Sequence, residues 1–177
     1  ENTKADGSIV TVVEGSPDPA HIRPRGGDFA EGQVLLSPGR VLDARAVLLA
    51  AAMGHGTLAV RKKPVIAVLA TGDELVDPGQ KPGPDQIVSS NPYGLAAMIA
   101  AAGGEPRLLG IARDTRTALE EKIADAADAD VLVTTGGASV GDHDLVGPVL
   151  TSRGMTMDFW KIAMRPGKPM LFGKLGR

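Results

Sequence analysis

The stretch 130–144, DVLVTTGGASVGDHD, constrains the fold of this chain more than any other segment. Its residues 131–133 are apolar and rich in β-branched side chains, which is typical of a strand buried on both faces of a parallel sheet. Three glycines follow within residues 136–141, and glycine lets main-chain N–H groups approach a ligand closely. A helical pattern begins near Leu145. This order of elements is how α/β proteins bind phosphate or another anion, although a tight turn without a ligand has the same composition.

From Pro64 onward the chain alternates between predicted strands and predicted helices. The predicted strands are 65–70, 108–112, 131–133, 157–163 and 170–172. Helices are predicted to start at Asn91, Thr115 and Leu145, and Asn91 is interpreted as an N-cap before Pro92. Strands that alternate with helices of this length predict an α/β fold, with a parallel sheet that carries helices on both faces.

The chain before Pro64 predicts smaller β and α/β pieces. Residues 8–13 and 32–36 are interpreted as short strands, and Asp43 as the cap of a helix that ends at Gly54. The segment HIRPRGGD at 21–28 is polar, and by composition alone it is interpreted as a solvated linker.

Composition excludes several classes of protein. The 177 residues carry a net charge of −2 without a basic patch, so we expect no nucleic-acid partner. Cysteine is absent, which excludes disulfides, thiolate metal sites and a thiol nucleophile. The longest apolar run, 46–53, is too short to span a bilayer, and no signal peptide is evident, so we expect a cytoplasmic protein without a membrane partner. The first residue is not Met, and we expect a piece of a longer protein.

Polar side chains follow four of the predicted strands. Because the carboxyl ends of parallel strands meet at one edge, we expect these side chains to form a common rim. The rim comprises the glycine loop with Asp73, Glu74, Asp114, Asp142, Asp144, Arg165 and Lys168. Each carboxylate alone could equally cap a helix, but their coincidence favours a site. Acidic groups without histidine or cysteine partners suit Mg²⁺, so the rim predicts a Mg²⁺-assisted reaction on a phosphate-bearing, nucleotide-like ligand.

Five motifs together resemble one enzyme family. They are TGDEL (71–75), QIVSSN (86–91), GIARD (110–114), TTGGASVGDHD (134–144) and FWKIAMRPGKP (159–169). In this order they are similar to the molybdopterin molybdenumtransferases, the molybdenum-insertion enzymes of molybdenum cofactor synthesis, which are related to the E domain of gephyrin. The upstream segment 21–39 also resembles that family. Three positions depart from its usual pattern: Gly27 replaces Glu, and Val88-Ser89 replaces Tyr-Asp.

The resemblance implies a domain organisation. Residues 1–27 would end a β-rich second domain, 28–60 would be part of a small first domain, and 61–177 would be a C-terminally incomplete α/β catalytic domain. The family is dimeric, so we expect a homodimer. A molybdopterin adenylyltransferase, which makes the substrate, is an expected partner.

The resemblance also implies a reaction and a set of site residues. The expected substrates are molybdate and adenylylated molybdopterin, with Mg²⁺ as cofactor and AMP as a product. The catalytic and metal-binding residues would be Glu74, Asp114 and Asp144. The binding residues would be Asp28, Thr71, Gly72, Asp73, Asn91, Gly136, Gly137, Ser139, Gly141, Asp142, Lys161, Pro166, Lys168 and Pro169.

Three other functions remain open. They are the related molybdopterin adenylyltransferase, a nucleotide hydrolase of the competence-damage type with the same domain, and a non-enzymatic scaffold like gephyrin. The MRPGKP run and the upstream HIRPRGGD segment favour the insertion enzyme.

Overall fold

The computed structural model describes residues 2–13, 15, 18–136 and 145–176. The strands are β1 (Thr3–Asp6), β2 (Ile9–Val12), β3 (Val65–Thr71), β4 (Leu75–Val76), β5 (Ile87–Val88), β6 (Glu105–Ala112), β7 (Val131–Thr135), β8 (Thr156–Trp160) and β9 (Leu171–Lys174). The α-helices are α1 (Ala44–Ala52), α2 (Asn91–Ala101), α3 (Arg116–Ala124) and α4 (Val146–Ser152), and Pro19–His21 form one 3₁₀ turn. Two compact units meet in sequence between Ala59 and Val60. None of the helices in the described ranges is long and apolar enough to cross a membrane.

The first unit contains a β-hairpin and one α-helix. Strands β1 and β2 pair antiparallel, so the predicted strand at 8–13 is confirmed, with a partner strand that its weak alternation did not reveal. The predicted strand at 32–36 is wrong, because this segment is turn and irregular backbone. The predicted cap of α1 is confirmed: Asp43 Oδ1 accepts a hydrogen bond from the Ala46 N–H at 2.8 Å.

The second unit is built on a three-stranded parallel sheet. Strand β3 lies in the centre, with β6 on one side and β7 on the other. Six of the seven residues of β3 are buried, which fits the continuous apolar run VIAVLA. The parallel sheet predicted from the alternation of strands and helices is therefore confirmed.

Helices cover both faces of this sheet. On one face, Ala67 and Leu69 of β3 belong to a buried cluster with Leu119 of α3 and Val149 of α4. On the other face, α2 contacts β3 and β6. Gly104, just after α2, lies so close to Ile66 and Ile99 that a Cβ atom there would be 2.6 Å from Ile66 Cδ1 and 2.9 Å from Ile99 Cγ2. The expected placement of helices on both faces is confirmed.

Strands β8 and β9 differ from the expectation. They pair with each other in an antiparallel hairpin, from Thr156 opposite Lys174 to Trp160 opposite Leu171, and neither is paired with the parallel sheet in the described part of the chain. All five residues of β8 are exposed. An alternating rather than continuous apolar pattern is typical of antiparallel strands, and parallel strands need a connection of about a dozen residues or more. The segment 161–170 between them is shorter than that.

An exposed ion pair joins β6 to the segment before β7. Arg107 Nη2 donates to Asp128 Oδ2 at 3.0 Å, and Nη1 donates to Oδ1. The hydrogen bond from Arg107 holds the pKa of the Asp128 carboxyl below its ordinary value.

The beginning of the β3–β7 pairing depends on one carboxylate. Asp130 Oδ2 accepts a hydrogen bond from the Val65 N–H at 2.8 Å, and the Asp130 N–H donates to the Val65 carbonyl at 2.8 Å. Asp130→Ala leaves the N–H of buried Val65 without this acceptor, so we expect a loss of about 1–2 kcal/mol in the free energy of unfolding. Asp130→Asn keeps an acceptor oxygen and should lose less.

Urea denaturation followed by circular dichroism measures both variants. Asp85→Ala, in an exposed loop of the same unit, is the control and should match the unsubstituted protein. If Asp130→Ala were as stable as Asp85→Ala, the Asp130–Val65 bond would not contribute to the sheet.

Candidate functional site

A cleft of about 220 Å³ lies at the carboxyl ends of β3 and β7. Its lining residues come from four segments: the end of β3 and the loop after it, β5 and the turn that follows, the first residue of α2, and the end of β7. They are Thr71, Glu74, Leu75, Ile87, Val88, Ser89, Ser90, Asn91, Thr135 and Gly136. This is the edge at which ligands bind in parallel α/β sheets.

The floor of the cleft is a close approach of two strand ends. Thr71 is buried, and its hydroxyl is 3.5 Å from the Thr135 carbonyl oxygen. Gly136 has a φ of +91°, and a Cβ atom there would overlap the Thr71 carbonyl oxygen and lie 2.8 Å from Thr71 Oγ1. Only glycine fits this position without strain, so the backbone at the end of β7 lies directly against the end of β3.

The loop after β3 brings a carboxylate to the cleft. The side chain of Glu74 folds back over Gly72, where a Cβ atom would be 2.7 Å from Glu74 Oε1. The Glu74 carbonyl accepts a hydrogen bond from the Ile87 N–H at 2.8 Å, which begins the short pairing of β4 with β5. Glu74 is therefore fixed by its main chain while its carboxylate lines the cleft.

Arg113 holds the same loop from the end of β6. Its Nη1 donates to the carbonyl of Asp73 at 2.8 Å and to that of Leu75 at 3.2 Å, and it is 3.5 Å from the carbonyl of Gly72. The Asp114 N–H donates to Asp73 Oδ1 at 3.2 Å. Arg113 was not among the predicted site residues. Its position at a predicted strand end, directly before Asp114, was the only feature of the sequence that could have indicated its role.

The start of α2 forms another wall of the cleft. Ser89 is only 5% exposed, and its N–H donates to the Val76 carbonyl at 2.9 Å. The predicted N-cap role of Asn91 is wrong, because Asn91 is the first helical residue and Ser90 precedes it. The Ser90 side chain makes no capping hydrogen bond within the described part of the chain. Pro92 in the first turn is as predicted.

The structure brings some predicted site residues together. Those that line the cleft are Thr71, Glu74, Asn91 and Gly136. Three other predicted residues are not in the lining. Gly72 and Asp73 contact Arg113 through their carbonyls, and the Asp114 N–H donates to Asp73. Five predicted residues lie outside the described residues, and their roles stay predictions: Gly137, Ser139, Gly141, Asp142 and Asp144.

The predicted residues Lys161, Pro166, Lys168 and Pro169 all lie in the connection between β8 and β9. The Lys161 N–H donates to the Met170 carbonyl at 2.8 Å, and Ile162 bonds to the Lys168 carbonyl at 3.0 Å, so the connection is closed by its own main chain. Lys161 Nζ lies 4.2 Å from the centre of the Trp160 ring, within the range of a cation–π contact.

Asp28 belongs to the first unit. Its carboxylate is 3.8 Å from Arg23 Nη1, and both side chains are exposed. Asp28, Arg23 and Phe29 line a shallow depression within that unit. The binding role that the resemblance implies for Asp28 stays a prediction.

The oxygen chemistry of the cleft fits a hard divalent cation. Glu74 belongs to the lining, and a carboxylate oxygen is the donor type that Mg²⁺ takes. Within residues 2–136 and 145–176, apart from the few that are not described, no group of three His, Cys, Asp or Glu side chains is placed to hold a metal ion. The predicted metal set of Glu74, Asp114 and Asp144 therefore stays a prediction.

Comparison with known proteins places this cleft in a family. Residues 67–177, well over half of the chain, match the family described as "Probable molybdopterin binding domain". The chain belongs to this family. The molybdopterin-binding domain so defined contains every residue that lines the cleft.

Relatives of known name agree with this assignment. A molybdopterin molybdenumtransferase of Nostoc sp. is 38% identical over 172 residues, which are 96% of this chain and 39% of the relative. A protein of the same name from Haemophilus influenzae is 36% identical over 96% of this chain and 42% of its own length. This chain thus spans about two fifths of the length of these curated relatives.

A solved structure shows the same fold. The molybdopterin biosynthesis MoeA protein from Pyrococcus horikosii superposes with a TM-score of 0.74 at 29% identity, over 98% of this chain and 43% of that chain. The α/β fold with a parallel sheet flanked by helices is therefore that of known members of this group of proteins.

The close approach at Gly136 gives a sharp test of the cleft's architecture. Gly136→Ala places a Cβ against the Thr71 main chain at a positive φ, so we expect a loss of about 2 kcal/mol in the free energy of unfolding. Gly94→Ala is the matched control, since Gly94 is helical and has no atom within 4 Å of an added Cβ. It should gain about 1 kcal/mol. Equal stability of the two variants in urea titrations would contradict the close approach.

Proposed function

We propose that the complete protein inserts molybdenum from molybdate into adenylylated molybdopterin, releases AMP and yields molybdenum cofactor. The observation that carries the proposal is the cleft at the carboxyl ends of β3 and β7, inside a domain of the molybdopterin-binding family. Relatives over nearly the whole chain are named molybdopterin molybdenumtransferases, which supports the reaction.

The size of the cleft suits one part of such a ligand. Sites for drug-sized ligands measure roughly 300–1,000 Å³. The described cleft measures about 220 Å³, and its lining combines hydroxyl, amide and carboxylate residues with the aliphatic residues Leu75, Ile87 and Val88. Its polar groups suit the phosphoanhydride portion of adenylylated molybdopterin, and its volume is too small for the whole ligand.

The carboxylate of Glu74 creates a need for a divalent cation in the cleft. A carboxylate in the same cleft as a phosphoanhydride repels it unless a cation lies between them. Glu74, together with Asp114 and Asp144 from the sequence prediction, would hold Mg²⁺. The bound ion would neutralise charge that builds up on the phosphate oxygens as AMP leaves.

Cationic residues of the β8–β9 connection complement the remaining anions. Lys161 begins that connection, and Lys168 lies in it between Pro166 and Pro169. We propose that they attract the pterin phosphate and molybdate, since ammonium groups bind such oxyanions as point charges.

The reaction is tested with the full-length protein by measuring AMP release from adenylylated molybdopterin. Release should require molybdate, should stop in EDTA and should return on addition of Mg²⁺. Even the loss of an outer-shell partner of a metal site costs about 10–100-fold, and the loss of a ligand should cost at least as much. We therefore expect Glu74→Gln to lower the rate by at least about tenfold and to raise the Mg²⁺ concentration needed.

Glu121→Gln is the matched control. Glu121 is exposed on α3 and does not line the cleft, so the same change there should leave the rate unaltered. AMP release without molybdate would instead indicate a nucleotide hydrolase. Formation of adenylylated molybdopterin from ATP would indicate the adenylyltransferase. If none of these activities were detected, the non-enzymatic scaffold would be the remaining function.

We also propose that the protein is a cytoplasmic homodimer that receives its substrate from a molybdopterin adenylyltransferase. In this proposal the HIRPRGGD segment of one subunit, with Asp28, completes the site of the other. A site at one sheet edge leaves part of the ligand open to solvent, so a second segment is needed to cover it. The arginines of HIRPRGGD and its position before the catalytic domain support that role.

Light scattering on the full-length protein should give twice the subunit mass. Co-expressed Asp28→Asn and Glu74→Gln subunits, each strongly impaired alone, should recover about a quarter of the activity, because half of the dimers are mixed and each has one intact site. A monomer with full activity, or a mixture without recovery, would contradict the shared site.

A further inference from the structure

We infer that the start of α2 is a subsite for a tetrahedral oxyanion, with the Ser89 hydroxyl as its buried donor. The inference deepens the proposed function and rests on it for the source of the oxyanion, which is a phosphate group of the adenylylated pterin or molybdate. Both have a tetrahedral centre that carries anionic terminal oxygens.

The first observation is the state of the Ser89 side chain. Ser89 is 5% exposed and lines the cleft. Its N–H is bonded to the Val76 carbonyl, so the residue is fixed. Among residues 18–136 and 145–176, no side-chain hydrogen bond involves its hydroxyl. A buried hydroxyl that forms no hydrogen bond with these residues is costly, and a bound oxyanion would satisfy it.

The second observation is the set of donors at the start of α2. This helix has eleven residues, and its N-terminus carries partial positive charge. The N–H groups of Tyr93 and Gly94 are bonded to the Ser90 carbonyl at 3.2 and 3.4 Å, and Pro92 has none. The Asn91 N–H has no acceptor among the described residues. It therefore joins the Ser89 hydroxyl as a donor for an incoming anion.

Glu74 lines the same cleft and should make binding of the oxyanion depend on Mg²⁺. A single carboxylate near an oxyanion raises the cost of binding the free anion, but it favours the Mg²⁺ complex. The oxyanion should therefore bind more tightly with Mg²⁺, and this dependence should be lost in Glu74→Gln while the requirement for Ser89 remains.

Ser89 is also one of the positions at which this chain departs from the family pattern. A hydroxyl donates where a carboxylate only accepts, so the subsite would be a property of this chain and of others with serine there.

The experiment is isothermal titration of the full-length protein with three separate probes: pyrophosphate, AMP and molybdate, each with and without Mg²⁺. Hydrogen bonds to charged groups contribute enough that Ser89→Ala should weaken binding at least about tenfold. Ser89→Thr keeps the hydroxyl and should retain most of the affinity. Ser37→Ala, an exposed serine of the first unit, is the control and should bind like the unsubstituted protein.

The probes separate the two sources of the oxyanion. Weakened binding of pyrophosphate and AMP alone assigns the subsite to phosphate, and weakened binding of molybdate alone assigns it to molybdate. Unchanged affinity of Ser89→Ala for all three probes, with an unaltered melting temperature, overturns the inference. The proposed reaction is judged separately, by molybdate-dependent AMP release from the unsubstituted protein.

Discussion

The burial of the β3 main chain is the constraint on which the second unit depends. The N–H and C=O groups of a buried strand must find partners, and here the two neighbours β6 and β7 supply them on either side. Both pairings are parallel, so the chain must return across the sheet before each new strand, and helices make these crossovers. The ends of all three strands therefore reach the same edge. The cleft, its carboxylate and its close main-chain approach are consequences of that arrangement.

This constraint explains which features could be predicted from the sequence. A continuous apolar run can be recognised without knowing its neighbours, and the residue after it must lie at the carboxyl edge. Thr71, Glu74 and Gly136 were placed at the site on those grounds and on family resemblance, and all three line the cleft. The cap at Asp43 was equally accessible, because a capping hydrogen bond is made within three residues of the same chain.

The features that sequence could not supply depend on contacts distant in the chain. Arg113 donates to carbonyls about forty positions earlier in the chain. Ser89 is buried, and the residues next to it in sequence do not indicate that burial. Short patterns also proved insufficient. The strand predicted at 32–36 is absent from the structure, and the alternation at 157–163 did not show that β8 pairs antiparallel with β9. In each case the deciding interaction is a pairing or a burial that a short window of sequence does not contain. The predicted roles of the residues between Gly136 and Leu145 lie outside the described structure.

The Arg113 contacts have a consequence for how this loop can change in evolution. The acceptors are main-chain carbonyls of Gly72, Asp73 and Leu75, so the bonds do not depend on which side chains those positions carry. The side chains of Asp73 and Leu75 can change under selection for a different ligand while the backbone that presents them stays in place, whereas Gly72 is restricted by its positive φ and by the Glu74 carboxylate. Residue 113 has no such freedom, because one substitution there releases all three carbonyls together. Specificity can thus be varied one residue at a time in this loop, because its backbone conformation is fixed by Arg113 at the end of a different strand.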